Sequence, residues 1–200
     1  MEWSDKSMMP NVKGLLEGDD RILLYTYAQA CVGNALEIGS YRGGSTVLLA
    51  QGLKDGHGDI LISVDPYDNR LIETGLPGTG QSVRLFNRYN KWVRNRNIKK
   101  YGVNKQIMSY YIPSYDIVPG FADNQFGLIF IDGDHSYPAV KTDLRMCIPK
   151  LRPGGVLLMH DKEYNGVCRA VEEEVTSDVF SDIRLNIPNS RMSCIACKRV

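Results

Sequence analysis

Glu37-Ile38-Gly39-Ser40-Tyr41-Arg42-Gly43-Gly44-Ser45-Thr46 closes a short apolar run, Ala35-Leu36-Glu37-Ile38, and opens a helical one, Ser45-Thr46-Val47-Leu48-Leu49-Ala50. A strand, a glycine-rich turn and a helix N-terminus in that order form the place where an open α/β sheet binds a nucleotide, because glycine lets a ligand approach the backbone. The spacing is G-x-x-x-G-G. It is not the G-x-G-x-x-G of dinucleotide binding and lacks the lysine of a phosphate loop, so a nicotinamide cofactor is disfavoured. Glu37, two residues before the first glycine, sits awkwardly beside a pyrophosphate and suits a cofactor that carries an ammonium group. The next apolar run, Ile60-Leu61-Ile62-Ser63-Val64, ends at Asp65, whose carboxylate can accept from both hydroxyls of a ribose.

Working outward, apolar runs alternate with helical stretches from about residue 20 to residue 176, which predicts a parallel sheet with helices on both faces. Helices are expected over Arg21–Cys31, from Ser45, over Arg84–Lys100, near Ser114–Phe121, over Pro138–Ile148 and over about Gly166–Thr176. Further strands are expected at Lys105–Tyr110, Gly127–Ile131 and Gly155–Met159. Asp182–Ile187 and Met192–Arg199 flank the turn chemistry of Pro188-Asn189-Ser190 and read as a closing antiparallel hairpin. The fold class is therefore α/β, a Rossmann-like doubly wound sheet of seven strands, mostly parallel. Residues 66–80 hold Pro66, Pro77, Gly75, Gly78 and Gly80, and read as a lid rather than a plain connection. Between Arg84 and Lys100 there are seven Lys/Arg and no acid, while Val83, Phe86, Tyr89, Trp92 and Val93 recur at helical spacing; this reads as a solvated charged face over an apolar stripe.

Composition narrows the class. The 200 residues carry 24 Lys+Arg against 23 Asp+Glu, a formal charge of +1, which argues against a dedicated nucleic-acid binder. With 43% hydrophobic residues the chain can bury a core of one domain, read as 1–200 with 1–33 a helical cover and 34–200 the Rossmann-like core. No apolar run approaches a membrane span and Met1–Pro10 lacks the layout of a secretory leader, so a cytoplasmic protein with no membrane partner is expected. Cys31, Cys147, Cys168, Cys194 and Cys197 are scattered, which fits a reducing compartment, and Cys194-Ile195-Ala196-Cys197 reads as structural, since strand positions three apart face opposite ways. Trp3, Met8 and Met9 read as local packing or as cover for a substrate or partner subunit.

Asp132, Asp134 and His135 directly follow the fourth expected strand, and His160 and Asp161 end the fifth, so both groups should project from one rim of the sheet. Carboxylates and imidazole at neighbouring strand ends can share a divalent cation that binds substrate oxygens and lowers the pKa of an attacking hydroxyl. His57, in a glycine-rich turn, reads as a solvated loop residue.

These residues resemble the class I S-adenosylmethionine-dependent methyltransferases, in particular the branch with E-I-G-S-x-x-G-x-S-T in its first loop. The likeness runs through Lys13-Gly14-Leu15-Leu16, Leu23-Leu24-Tyr25, Val64-Asp65-Pro66, Phe130-Ile131-Asp132-Gly133-Asp134-His135-Ser136-Tyr137, Leu151-Arg152-Pro153-Gly154-Gly155 and His160-Asp161. It implies S-adenosylmethionine as cofactor, with Glu37 near the methionine amino group, Gly39 and Ser40 against the cofactor backbone, and Tyr41, Gly43, Gly44 and Ser45 completing the loop. It also implies Asp65 on the ribose, the adenine near Tyr110, Tyr111 and Ser114, and Asp132 beside the cofactor. At the rim the chain is similar to the metal-dependent small-molecule O-methyltransferases, the macrolide and aminocoumarin sugar O-methyltransferases and cephalosporin hydroxylase-like proteins among them. That likeness implies Asp132, His160 and Asp161 around magnesium or manganese, and Asp134 or His135 as general base. His160 stands where those families usually carry Glu or Asp, and imidazole prefers softer metals than magnesium. The function so implied is methyl transfer to a hydroxyl of a small molecule. The alternatives are transfer to nitrogen or another acceptor without metal, and a cofactor-binding accessory protein without catalysis. The oligomeric state stays open, a homo-oligomer included.

Overall fold

Residues 9–12, 16–67 and 79–200 are described by the structure, a computed structural model. They run α1 (Asp20–Ala30), β1 (Val32–Ile38), α2 (Gly44–Asp55), β2 (His57–Val64), α3 (Thr79–Lys100), β3 (Ile107–Tyr110), α4 (Ser114–Ile117), β4 (Phe126–Ile131), α5 (Tyr137–Cys147), β5 (Leu151–Met159), α6 (Asn165–Glu174), β6 (Phe180–Leu185) and β7 (Cys194–Lys198). The strands form one seven-stranded sheet of order β3-β2-β1-β4-β5-β7-β6. β1 to β5 are parallel, and β7 inserts antiparallel between β5 and β6. This is the doubly wound sheet with a closing hairpin that the hydrophobic period predicts. Among the described residues no helix is long and apolar enough to cross a membrane.

β4 is buried throughout and the carboxyl halves of β1 and β2 are buried on both faces, which is why they read as continuous apolar runs. Along β4, Leu128 and Phe130 pack with Leu24, Leu48, Leu49 and Leu53 of α1 and α2, while Ile129 and Ile131 pack with Val140, Leu144 and Val171 of α5 and α6. Successive side chains thus serve opposite layers, with α1 and α2 on one face of the sheet and α5 and α6 on the other.

Register decides where the site can be. Ile38 pairs with Val64 and with Ile131, Val64 pairs with Tyr110, and Ile131 pairs with Met159. The carboxyl ends of five parallel strands therefore stop on one line. Gly39, Asp65, Tyr111, Asp132 and His160 each come next in the chain, and the order reverses between β1 and β4, the switch point at which open α/β sheets bind ligands.

Three local readings change. The stretch expected as one helix near 114–121 divides into α4 and a 3-10 turn, Val118–Gly120, because Pro119 has no N–H to continue an α-helical ladder. β3 begins at Ile107, after a 3-10 turn over Asn104–Gln106. α3 starts at Thr79, so Thr79 and Gly80 belong to a helix rather than to the expected lid; the rest of that lid, residues 68–78, lies outside the described residues, as do Trp3 and Met8.

The cationic helix also turns a different face inward. Asn90, Arg94 and Ile98, spaced four apart, are buried, whereas Phe86, Tyr89 and Trp92 are about half exposed, at 49%, 53% and 55%. The reading of α3 as a solvated charged face over an apolar stripe is corrected accordingly. The reason is polar complementarity: the Arg94 Nη2 donates to Ser63 Oγ at 2.9 Å and Ser109 Oγ at 3.0 Å, so the guanidinium finds acceptors on β2 and β3 that a surface position lacks. Gly43 makes room for it, since a Cβ there would stand 2.9 Å from Arg94 Cγ.

Candidate active site

Gly39 sets the floor. Its φ of +86° lies in the left-handed region, and a Cβ would meet the Asp132 carbonyl oxygen at 2.0 Å, so only glycine lets β1 and β4 end side by side. Its N–H donates to Val64 O at 2.9 Å, and the Asp132 N–H donates to Ile38 O at 2.8 Å. Asp65 ties the loop from the β2 side, with Oδ2 accepting the Ser40 and Tyr41 N–H groups at 2.9 Å each and Oδ1 accepting the Tyr67 N–H at 3.1 Å. The Tyr67 hydroxyl reaches the Tyr41 carbonyl and lies 3.0 Å from Ser40 Oγ; burial pushes this phenol well above its ordinary pKa.

Glu37 is fully buried behind the loop. Its carboxylate accepts from Ser45 Oγ at 2.6 Å, Thr46 Oγ1 at 2.7 Å and Ser63 Oγ at 2.6 Å. Burial raises its pKa, and the three hydroxyls together with the nearby Arg94 charge oppose that rise. Glu37, expected beside the methionine amino group, accepts hydroxyls of the first turn of α2 and of β2 and so helps hold the loop in shape. It is not among the residues that line the cavity over the switch point.

A cavity of about 640 Å³ opens over the switch point. Gly39, Tyr41, Asp65, Ser114, Asp132 and Asp134 of the expected set line it. Ser40, Gly43, Gly44 and Ser45 are absent from its lining, as are His135, His160 and Asp161, Tyr110, which packs edge-on against Phe121, and Tyr111, which lies edge-on to Tyr67 and under Lys91 Nζ. The wall far from the loop comes instead from Pro113, Ser114 and Tyr115 and from Pro138, Ala139, Thr142 and Asp143 of α5.

On the rim, Asp132, His135 and Asp161 each present a ligand atom, all within 4.8 Å of one another. His135 Nε2 is 2.5 Å from Asp161 Oδ2, and its ring stacks on Tyr164 with centroids 4.4 Å apart. That contact raises the His135 pKa. Asp161 has φ +61°, unusual for a residue with a Cβ, and Arg191 pairs with its Oδ1 and with Glu163. The buried His160 lies behind this group: Nδ1 is 3.3 Å from Asp132 Oδ1 and 3.2 Å from Asp161 Oδ1 but has no hydrogen-bond partner, while Nε2 meets Asp20 Oδ2 at 3.1 Å. Burial alone would depress its pKa, yet the three carboxylates outweigh it and push it up to about 11. Two carboxylates and an imidazole converging this closely fit a divalent cation, with His135 rather than His160 completing the set. Asp134 is exposed and accepts the Ser136 N–H at 2.7 Å, securing the turn into α5.

Asp20, Arg94, Asp143 and Arg191 were not singled out from sequence. Asp20 holds His160 from α1 while accepting from Ser190 Oγ at 2.5 Å and the Arg191 N–H at 2.9 Å, partners 170 and 171 positions away that no local pattern announces. Asp143 did leave a signal. It falls in the buried stripe Val140, Asp143, Leu144, Cys147 of α5, where an acid is out of place unless it has work to do.

Asp143 accepts from Ser114 Oγ at 2.6 Å, and burial, with no cation beside it, raises its pKa from 3.8 to about 6. The folded state then binds the proton more tightly than the unfolded chain. Stability from this group is complete below pH 3.8 and is lost as pH rises through 6, by about 3 kcal/mol at most. The unfolding free energy of Asp143→Asn minus that of wild type, from urea titrations, should therefore grow by roughly that amount between pH 4 and pH 7. A difference that stays flat across this range would contradict an uncompensated buried carboxyl.

A family model described as a methyltransferase domain matches residues 36–162, from β1 through the rim of β5. The chain belongs to this methyltransferase family. A curated relative, the uncharacterized protein R132 of Acanthamoeba polyphaga mimivirus, is 30% identical over 126 residues, 63% of this chain and 50% of that protein. The chain thus spans about half the length of the curated relative it matches. Among solved structures, a Corynebacterium glutamicum protein superposes with a TM-score of 0.66 at 16% identity, covering 89% of this chain and 79% of the other. The O-methyltransferase TomG of Streptomyces achromogenes, involved in tomaymycin synthesis and solved with S-adenosylmethionine, gives 0.61 at 17% identity over 89% and 78%. A Bacillus cereus O-methyltransferase with S-adenosylhomocysteine gives 0.60 at 16% over 90% and 78%. The methyltransferase domain therefore has the class I fold expected from its first loop.

Proposed function

We propose that this methyltransferase domain transfers the methyl group of S-adenosylmethionine to a hydroxyl oxygen of a small molecule, with a divalent cation at Asp132, His135 and Asp161. The observation that carries the reading is that Gly39 and Tyr41 of the glycine loop, Asp65, and Asp132 and Asp134 after β4 line one cavity at the switch point of the sheet. The O-methyltransferase structures that share the fold, two of them holding the cofactor or its demethylated product, support it.

The chain's own residues supply binding and orientation. Gly39 leaves the loop backbone open to the cofactor, and Asp65, already fixed by three amides, offers its remaining acceptor capacity to the ribose. The sulfonium methyl is activated before it binds, so most of the acceleration comes from holding acceptor oxygen and methyl in line. A cation on the rim would add charge that favours the ionised form of the acceptor. Asp134, beside Asp132 on the cavity wall, is positioned to take the hydroxyl proton. His160 and Arg191 neutralise the backs of Asp132 and Asp161, and Asp20 fixes His160 from behind.

The test is formation of S-adenosylhomocysteine from S-adenosylmethionine with hydroxylated small molecules as acceptors, measured with and without divalent metal. Turnover that follows a hydroxyl and not an amine supports the reading. Turnover on amines alone would overturn it.

A further inference from the structure

One wall of the cavity carries a charge that nothing so far employs. Asp143 is 6% exposed, and its Oδ1 accepts from Ser114 Oγ at 2.6 Å. Its Oδ2 lies beside the end of β4, where a Cβ built on Gly133 would stand 3.7 Å away, and has no hydrogen-bond partner among the described residues. Around it the wall is formed by Pro113, Tyr115, Pro138 and Ala139, which suits a flat, weakly polar ring. Asp65, the expected ribose acceptor, and Ser114, expected near the adenine, line the same cavity as this wall.

We propose that Asp143 is a specificity-determining residue that accepts a hydrogen bond from the 6-amino group of the cofactor's adenine through its Oδ2. This rests on the reading of the cavity as an S-adenosylmethionine site. An ionised carboxylate is an acceptor only, and Asp143 lines the cavity with acceptor capacity left beyond the Ser114 bond, so the wall favours a ligand that presents N–H at this point. Adenine offers an exocyclic amine there. A 6-oxopurine offers a carbonyl oxygen, which the carboxylate repels.

S-Adenosylhomocysteine and S-inosylhomocysteine differ at this one group, amine against carbonyl, and their binding by calorimetry at pH 7.5 tests the assignment. Wild type should prefer the adenosyl compound by roughly ten- to hundredfold, the range expected of a hydrogen bond to a charged acceptor. Asp143→Ala should lose most of that preference. Asp143→Asn, which has nearly the same shape and puts an N–H donor within reach, should shrink the preference or reverse it toward the inosyl compound, a change that loss of packing does not produce. Equal affinity of wild type for the two, or the wild-type ratio in both variants, overturns the assignment while leaving the cofactor reading intact. If wild type binds neither compound, the cofactor reading fails, and this assignment with it.

Discussion

Glu37→Ala should lower the unfolding free energy by about 3–5 kcal/mol, the cost of removing one partner from a buried, charged hydrogen-bond network. For a domain of this size that corresponds to a fall of roughly 10 °C in Tm. The carboxylate is fully buried, and three hydroxyls, on Ser45, Thr46 and Ser63, donate to it. Alanine leaves all three without their acceptor and leaves Arg94, whose Nη2 donates to the same Ser63 Oγ, without a nearby negative charge. Glu37→Gln keeps an acceptor but turns an amide toward hydroxyl groups, and should cost less. The coupling is checkable in a cycle with Arg94→Met. The double variant should be less destabilised than the sum of the two singles, because a lone buried charge is worse than none. A Glu37→Ala variant that melts within 2 °C of wild type would show that Glu37 does not hold the loop.

Exhaustive chelation should reduce methyl transfer at least a hundredfold, roughly 3 kcal/mol of activation free energy, and added magnesium or manganese should restore it. The size follows from the acceptor: an unactivated hydroxyl is a poor nucleophile, and rim charge is what favours its ionised form. Asp132→Ala should show low transfer that no longer responds to metal, because one of three converging ligand atoms is gone. S-Adenosylhomocysteine affinity should survive within a few-fold, since the loop and Asp65 are untouched. Full activity of the stripped enzyme would refute the metal and favour transfer on geometry and the base alone.

The layered sheet was legible because buried parallel strands and amphipathic helices impose different periods on the chain, and β1, β2 and β4 carry that signal in nearly pure form. The closing hairpin was legible from Pro188-Asn189-Ser190. Asp65, Asp132, His135 and Asp161, expected at the site, do stand just beyond strand ends on one rim, because a strand's end fixes a residue's place there. What stayed hidden depends on partners brought from elsewhere. The buried network around Glu37 gave no local sign, because the Ser63 hydroxyl that donates to its carboxylate lies 26 positions away. Arg94 read as one more surface cation among seven, since only the folded sheet puts Ser63 and Ser109 beneath it. The roles of His135 and His160 around Asp132 and Asp161 depended on Asp20, which draws His160 Nε2 toward α1. In each case the deciding contact is long-range and polar, and polar side chains do not set a period.

The central claim, that the switch-point cavity is an S-adenosylmethionine site, is tested most directly by equilibrium binding of S-adenosylhomocysteine and NAD to wild type and to Asp65→Ala. S-Adenosylhomocysteine should bind wild type and lose at least tenfold in affinity on Asp65→Ala, with NAD binding far more weakly, because the G-x-x-x-G-G loop lacks the spacing that cradles a pyrophosphate. NAD binding as tight as that of S-adenosylhomocysteine, or S-adenosylhomocysteine affinity indifferent to Asp65→Ala, would contradict it.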